Sequence, residues 1–234
     1  MELLTNPVFW VALLQIILIN IVLSGDNAVV IALACRSLPP QQQKKAIVFG
    51  SVGAIVLRVI LTFFALKLLA LPYLKLIGAA LLLWIGIGLL KEEDEESELE
   101  GHSGLFAAIK TIIVADLVMS LDNVIGVAAA AKGDLVLLVL GLVISVPLIV
   151  FGSAILLKVM NRFPIIITLG AALLGWVAGE MAMTDPAVVP YVGAHNETLK
   201  MVVAAIGAVI VVAVGKWLAS RTGAHQSGAD QPAA

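Results

Sequence analysis

The sequence predicts an all-α, polytopic membrane protein with about seven transmembrane helices. Of its 234 residues, 61% are apolar and 13% are charged, whereas soluble domains are about half apolar and about a quarter charged. The mean hydropathy is +1.10. Seven apolar stretches are each near or above the length needed to cross the hydrocarbon core, which takes about 20 residues of helix. These observations exclude a soluble globular domain and a disordered chain.

The seven stretches are separated by residues that end or begin helices. Pro72 and Pro164 stand where the third and sixth helices would start, a position that tolerates the missing N–H of proline. Gly133 and Asp134 predict a tight turn between the fourth and fifth. The first stretch lacks a basic leader and is too long for a cleavable signal, so we expect an uncleaved helix. The predicted spans are 8–34, 46–71, 73–90, 104–131, 135–157, 164–183 and 199–219.

Basic residues between the spans predict the orientation in the cytoplasmic membrane. Nine lie on one face and four on the other, which places the N-terminus outside and the C-terminus in the cytoplasm. The acidic run 92–100 then lies in a cytoplasmic loop, either as a solvated segment or as a cation-attracting or regulatory patch. We expect the tail 221–234 to be disordered. The nine are Arg36, Lys44, Lys45, Lys91, Lys110, Lys158, Arg162, Lys216 and Arg221, and the four are Lys67, Lys75, Lys132 and Lys200.

An internal repeat divides the chain into two halves. The segment Asn20–Asn27 recurs as Asp116–Asn123 with an offset of 96 residues, and Pro72–Trp84 recurs as Pro164–Trp176 with an offset of 92. Three helices per repeat insert the two halves in opposite orientations, an arrangement typical of secondary transporters. One membrane domain, 1–220, then contains repeat one (8–90), a cytoplasmic loop (91–103), repeat two (104–183) and a seventh helix (199–219).

Polar residues inside the spans concentrate in the repeated motif. On a helix of about 100° per residue, the first, fifth and eighth motif positions share a face, and the aspartate before the last Asn lies about 100° away. Either the site wraps around the helix or the helix unwinds there. Gly25 favours unwinding in the first repeat, because glycine weakens a helix, whereas Leu121 at the matching position disfavours it in the second. The motif residues are Asn20, Ser24, Asp26 and Asn27 on span 1, and Asp116, Ser120, Asp122 and Asn123 on span 4.

The chemistry of these side chains suits a hard divalent cation. They offer carboxylate, amide and hydroxyl oxygens, no histidine lies in a span, and the single thiol, Cys35, ends span 1. Oxygen ligands favour Mg²⁺, Ca²⁺ or Mn²⁺ over Zn²⁺ or Cu⁺. The same Asn and Ser side chains could instead tie helices together by hydrogen bonds.

Two more charged residues lie within predicted spans. Arg58, near the centre of span 2, stays protonated, and we expect it to pair with a motif aspartate, either for stability or for gating. Glu180, in the last turn of span 6, is a candidate ligand, proton acceptor or interfacial group. Asp185 and Glu197 are expected to be solvated in the outer loop.

The paired motif, Asn20…Ser24-Gly-Asp26-Asn27 and Asp116…Ser120-Leu-Asp122-Asn123, resembles the signature of the TerC family of integral membrane proteins. The length and the acidic loop resemble its short, YjbE-type branch. The resemblance covers residues 7–220 and implies membership of a LysE-like group of transporters and efflux of a divalent metal, with Mn²⁺ the leading candidate. It assigns metal handling to Asn20, Asp26, Asn27, Asp116, Asp122 and Asn123, and Arg58 matches a basic position usual in the family's second helix. Asn20 departs from the symmetry, because Asp116 stands at the equivalent position.

Two other classes of protein stay open. An intramembrane protease would need a base beside Ser24 or Ser120, which no span provides, or an Asp26–Asp122 dyad sharing a proton. A non-transporting partner, of the assembly or tellurium-resistance kind, would use the acidic loop for docking. We expect no enzymatic activity and no tightly bound cofactor. The expected partners are the metal ion and the bilayer, with self-association left open, and the net charge of −2 argues against nucleic acid.

Overall fold

The computed structural model describes residues 7–91, 101–131, 134–192 and 196–229. All regular secondary structure in these ranges is helical, so the predicted all-α class is confirmed. The helices are α1 (Pro7–Leu23), α2 (Gly25–Cys35), α3 (Pro40–Leu69), α4 (Leu74–Lys91), α5 (Gly101–Ala131), α6 (Leu135–Arg162), α7 (Ile165–Met183), α8 (Val189–Val192) and α9 (Glu197–Ala229).

Six of these helices are long and apolar enough to cross a membrane, and α1 with α2 gives a seventh, bent span. The two segments of that span meet at 51°. Large apolar side chains point outward along the bundle, including Val22 (78% exposed), Trp84 (71%) and Phe106 (71%). Such a surface is stable in contact with lipid but not with water. The protein is therefore a multi-pass integral membrane protein, as its composition predicts.

Three predicted boundaries differ from the structure by five residues or more. Span 5 ends later, because α6 continues to Arg162 and not to 157. Span 2 begins earlier, at Pro40, because proline is well accommodated at the first position of a helix. The last helix continues to Ala229, over much of the tail expected to be disordered. Extending an existing helix avoids the cost of nucleating a new one. The composition of the tail does not show that the tail continues a helix already formed by span 7. The predictions for the acidic run 92–100 and for 230–234 concern residues outside the described ranges.

The packing of the helices follows the two halves of the sequence. In repeat one, α1 and α2 form span 1 and pack mainly on α6, which is span 5. In repeat two, α5 forms span 4 and packs mainly on α3, which is span 2. The third helices of the halves, α4 and α7, pack on each other. Exchanging the halves leaves this set of partners unchanged, as expected of two equivalent units.

The seventh span, α9, lies against the third helix of each half. Gly175 and Gly179 on α7 allow close approach of the backbones: a Cβ on Gly175 would lie 2.3 Å from the carbonyl oxygen of Gly207, and one on Gly179 would lie 2.5 Å from Cα of Ala204. Small residues four apart are typical of tightly packed transmembrane helices. One turn further along the same face of α9, Val211 packs against Gly86 of α4.

The turn after α7 is fastened to the start of α4 by Asp185. The Asp185 carboxylate is fully buried and accepts hydrogen bonds from the backbone N–H groups of Tyr73 (2.9 Å), Lys75 (3.0 Å), Leu76 (3.2 Å) and Ala187 (2.7 Å). The prediction that Asp185 is solvated is therefore wrong. Burial disfavours the charged form, but these backbone hydrogen bonds outweigh it and hold the pKa of Asp185 below its ordinary value.

Tyr73 adopts a left-handed conformation, with φ of 68°, which non-glycine residues rarely do. Its N–H group donates to the buried carboxylate of Asp185. The hydrogen bonds of the carboxylate therefore hold a backbone conformation that by itself costs about 1 kcal/mol or more.

Candidate functional site

Span 1 is interrupted inside its polar motif. Leu23 ends α1, Ser24 has φ of −110° and ψ of 8°, and α2 begins at Gly25. A Cβ on Gly25 would meet no atom within 4 Å, so Gly25 contributes through its weak helix propensity and not by close packing. The matching segment of repeat two, around Leu121, is an uninterrupted part of α5. Of the two alternatives left open by the sequence, the structure shows an interrupted helix beside Gly25 in the first repeat and a continuous helix at Leu121 in the second.

The break frees a backbone carbonyl, which accepts a hydrogen bond from a side chain of the other repeat. The carbonyl of Leu23, the last residue of α1, accepts a hydrogen bond of 2.9 Å from Nδ2 of Asn123 on α5. Ser24 precedes α2, but its hydroxyl makes no capping bond to that helix. Asp26 lies in the first turn of α2 and accepts from the N–H of Asn27 at 2.8 Å. A carboxylate there is favoured by the positive end of the helix dipole.

Arg58 of α3 joins the two motifs. Its side chain is buried, and each nitrogen of the guanidinium donates to a motif side chain. Nε donates to Ser120 Oγ at 2.9 Å, Nη1 to Ser24 Oγ at 2.8 Å and also to Asn20 Oδ1, and Nη2 to Asp116 Oδ1 at 2.5 Å. The contact with Asp116 is also a salt bridge. The expected pairing of Arg58 with a motif aspartate is confirmed, and the partner is Asp116.

Asp116 is the acceptor at the centre of the same cluster. Besides Arg58, its Oδ1 accepts from Asn27 Nδ2 at 2.6 Å, and its Oδ2 accepts from Ser120 Oγ at 3.0 Å. Asn27 is buried, yet its own Oδ1 has no hydrogen-bond partner among the side chains and backbone groups that the structure describes. An unpaired buried acceptor is costly. It marks a place where a donor or a cation would be stabilised.

One member of the cluster was not a candidate from the sequence. Ser145 is buried and stands in an apolar stretch of the α6 sequence. Its hydroxyl accepts a hydrogen bond from Asn20 Nδ2 and donates one to the carbonyl of Leu142 at 2.7 Å. The hydroxyl of a lone serine in an apolar span usually donates to a backbone carbonyl of its own helix, as Ser145 does to Leu142. Its position in the middle of span 5 is the only signal that could have identified it.

None of the described hydrogen bonds joins the candidates Asp26, Asn27, Asn123 or Glu180 directly to Arg58. Asp26 is half-buried and makes its described bond within its own helix. Glu180 lies near the C-terminal end of α7, with Oε1 4.0 Å from Nζ of Lys200. The side chain of Asp122 is outside the described part of the chain. Among the residues described, no three His, Cys, Asp or Glu are close enough together to hold a metal ion.

These features define a class: a polytopic helical membrane protein with a charged, oxygen-rich cluster buried between two equivalent halves and a broken helix beside it. The sequence model of the integral membrane protein TerC family matches residues 5–223. The chain belongs to the TerC family.

Relatives support this membership. The chain is 41% identical to the uncharacterized membrane protein YjbE of Bacillus subtilis, over 82% of this chain and 88% of YjbE. It is 28% identical to YceF, an uncharacterized membrane protein of the same organism, over 77% of this chain and 74% of YceF. UPF0053 protein YegH of Escherichia coli is 29% identical over 72% of this chain but only 36% of its own length. No solved structure matches the chain.

Proposed function

We propose that this protein exports a divalent cation, Mn²⁺, across the cytoplasmic membrane, with its N-terminus outside and its C-terminus in the cytoplasm. The binding site is formed by Asp and Asn side chains of the broken span 1 and of α5. The ion is a transported substrate. The protein performs no chemical conversion of it and needs no resident cofactor.

The observation that carries this proposal is a buried polar cluster to which both halves contribute: the Asp116 carboxylate and a serine hydroxyl come from the second half, and amide and hydroxyl side chains come from the first. Ionisable groups in a membrane interior are expensive, so they occur mainly where ions pass or are bound. Asp116 is buried against Asn27, whose side-chain oxygen lacks a partner. The oxygen donors beside it, amides and hydroxyls, are those that hard divalent cations prefer. A site at the interface of two repeats, next to an interrupted helix, is also the usual transporter arrangement.

The ligands we assign to the ion are six residues in two equivalent sets. Asp26, Asp116 and Asp122 supply the charge that neutralises a dication, and the amide side chains complete its oxygen shell. The amides are Asn20, Asn27 and Asn123. Manganese fits this donor set because it accepts oxygen ligands and gives up hydration water more readily than Mg²⁺ does.

The test is Mn²⁺ uptake into proteoliposomes containing a trapped Mn²⁺-quenched dye. Wild-type protein should accelerate quenching, and Asp26→Asn and Asp122→Asn should abolish the acceleration. Each removes a full charge from a dication site while keeping the side-chain volume, and a close charge pair is worth about 4 kcal/mol near a protein surface. Glu197→Gln is the matched control, because Glu197 is exposed at the start of α9.

Equal uptake by wild-type protein, both Asp variants and empty vesicles would refute transport and favour a non-transporting membrane partner. Uptake by both variants at the wild-type rate would refute the assigned ligands. Protein levels in the vesicles are matched by quantitative blotting, so that a folding defect is not read as a transport defect.

A further inference from the structure

We infer that the guanidinium of Arg58 is a built-in cation that occupies the transport site of the empty protein, and that the metal must displace it in order to bind. This inference rests on the proposed function and adds how the site is kept closed between transport events. Arg58 then acts as an intramolecular competitor that sets the apparent affinity for Mn²⁺. Four observations about Arg58 and the residues around it support this role.

The first observation is that the contacts of Arg58 obey the symmetry of the repeat. Asn20 and Asp116 occupy equivalent positions, and so do Ser24 and Ser120, each pair 96 residues apart. All four accept hydrogen bonds from the one guanidinium. The cation therefore lies between the halves, at equivalent positions of both motifs, where a shared substrate ion would also lie.

The second observation is that the cation itself has no symmetry partner. Adding either repeat offset to position 58 leads to Ala154 (96) or Val150 (92), and both are uncharged. If Arg58 only stabilised the packing of each half, the second half would need an equivalent. One fixed positive charge shared by two motifs matches the need for one counter-ion at a single central site.

The third observation is that Arg58 occupies oxygens of two assigned ligands, Asp116 and Asn20. Asp116 Oδ1 already accepts from Arg58 Nη2 at 2.5 Å and from Asn27 Nδ2 at 2.6 Å, and Oδ2 accepts from Ser120 at 3.0 Å. Asn20 Oδ1 accepts from Arg58 as well. A dication cannot share these oxygens with a guanidinium at hydrogen-bond distance, because the two positive charges would repel each other strongly in a buried site.

The fourth observation concerns the side-chain oxygen of Asn27. Within the described part of the chain, Asn27 Oδ1 stays buried without a hydrogen-bond partner, although the other oxygens of the cluster accept hydrogen bonds. Its amide nitrogen is held on Asp116, the residue that Arg58 also holds. The site is therefore well arranged for the guanidinium and incomplete at one oxygen. A metal ion that displaces Arg58 from Asp116 would have this oxygen available as an additional ligand.

The test is Mn²⁺ binding to purified, detergent-solubilised protein by titration calorimetry, comparing wild type with Arg58→Gln. If most of the empty protein has Arg58 in the site, the apparent Kd is raised by the inverse of the competent fraction. Removing the competitor should then lower the Kd about tenfold or more. Uptake into proteoliposomes should fall, because the metal leaves a tighter site more slowly. Arg162→Gln is the control, since Arg162 is exposed at the end of α6.

A purely structural role for Arg58 gives the opposite result. Folded Arg58→Gln that binds Mn²⁺ as weakly as wild type, or more weakly, overturns the inference while wild-type transport leaves the proposed function intact. If Arg58→Gln does not fold, Arg58→Lys decides: Lys keeps the charge with three donors instead of five, so its Kd should fall by a smaller factor, and an unchanged or higher Kd overturns the inference. If neither wild type nor variant binds, both the function and the inference are refuted.

Discussion

Replacing Asp185 by Asn should destabilise the protein far more than its place in a loop between two spans suggests. The carboxylate is fully buried, and its two oxygens each accept two backbone N–H groups: Oδ1 from Tyr73 and Ala187, Oδ2 from Lys75 and Leu76. An Asn side chain has one accepting oxygen, so two of the four donors lose their acceptor whichever way the amide is turned. The NH₂ group of the amide would then face backbone N–H groups, so that hydrogen-bond donors point at each other.

The magnitude follows from the hydrogen bonds lost. Bonds to a charged group contribute about 1.5–3 kcal/mol each, so losing two should cost about 3 kcal/mol or more. For a chain of this size, about 1 kcal/mol shifts the Tm by roughly 2–4 °C, so we expect a fall of about 6–12 °C. Protein in detergent can be heated with a thiol-reactive dye, because the chain has one cysteine, Cys35, and Cys35 is fully buried until unfolding.

Asp134→Asn is the matched control. Asp134 also caps a helix, accepting from Val136 N–H at 2.9 Å and Leu137 N–H at 3.1 Å, but it is exposed. Asn is as good a cap as Asp, so its Tm should not change. Asp185→Asn unfolding at the same temperature as this control would show that the buried carboxylate does not stabilise the fold.

The same residue predicts a dependence on pH. Because the folded pKa of Asp185 lies below the unfolded value, the unfolded chain takes up its proton first as the pH falls. The stabilisation is complete above the ordinary carboxyl pKa of about 4 and is lost as the pH falls through the lowered folded value. The difference in Tm between wild type and Asp185→Asn should therefore shrink below about pH 4. A constant difference across that range would contradict the assigned charge state.

Two further predictions concern packing and topology. Gly175→Ala should lower the Tm by several degrees, because its Cβ would lie 2.3 Å from the Gly207 carbonyl oxygen, whereas Gly152→Ala, with nothing within 4 Å, should not; equal effects would refute close packing of α7 on α9. In a cysteine-free background, an impermeant thiol reagent applied outside intact cells should label Asn196→Cys and not Lys44→Cys, and the reverse pattern would invert the proposed orientation while leaving the fold unchanged.

The fold could be predicted in detail because it depends on local signals. Apolar length identifies a membrane span, and the repeated motif identifies equivalent helices without any knowledge of their packing. The interruption of span 1 was predictable for the same reason, since it depends on Gly25 and on the lack of glycine at Leu121. The expectation that Asn20, Ser24 and Asn27 act on one side also agrees with their contacts, which reach Arg58 and Asp116.

What the sequence could not provide is the choice of partner across helices. Arg58 could have paired with any motif aspartate, and only the packing of α3 on α5 selects Asp116. Asp185 looked solvated because it stands in a polar loop, yet its partners lie 110 residues away in another turn. The role of Ser145 depends on the same kind of long-range contact. A side chain's position along its own span does not reveal which helix will face it.

The glycine-lined contact between α7 and α9 has a consequence for how the chain is made. The seventh helix leaves the ribosome after α4 and α7, so the surface that these two helices form is complete before α9 arrives. Until α9 inserts, the bare backbone around Gly175 and Gly179 faces lipid, which fills such a groove poorly. The bundle of these spans is therefore complete only when α9 has inserted, so a chain truncated before α9 has an unfilled groove even though all the residues of the proposed ion site have been synthesised.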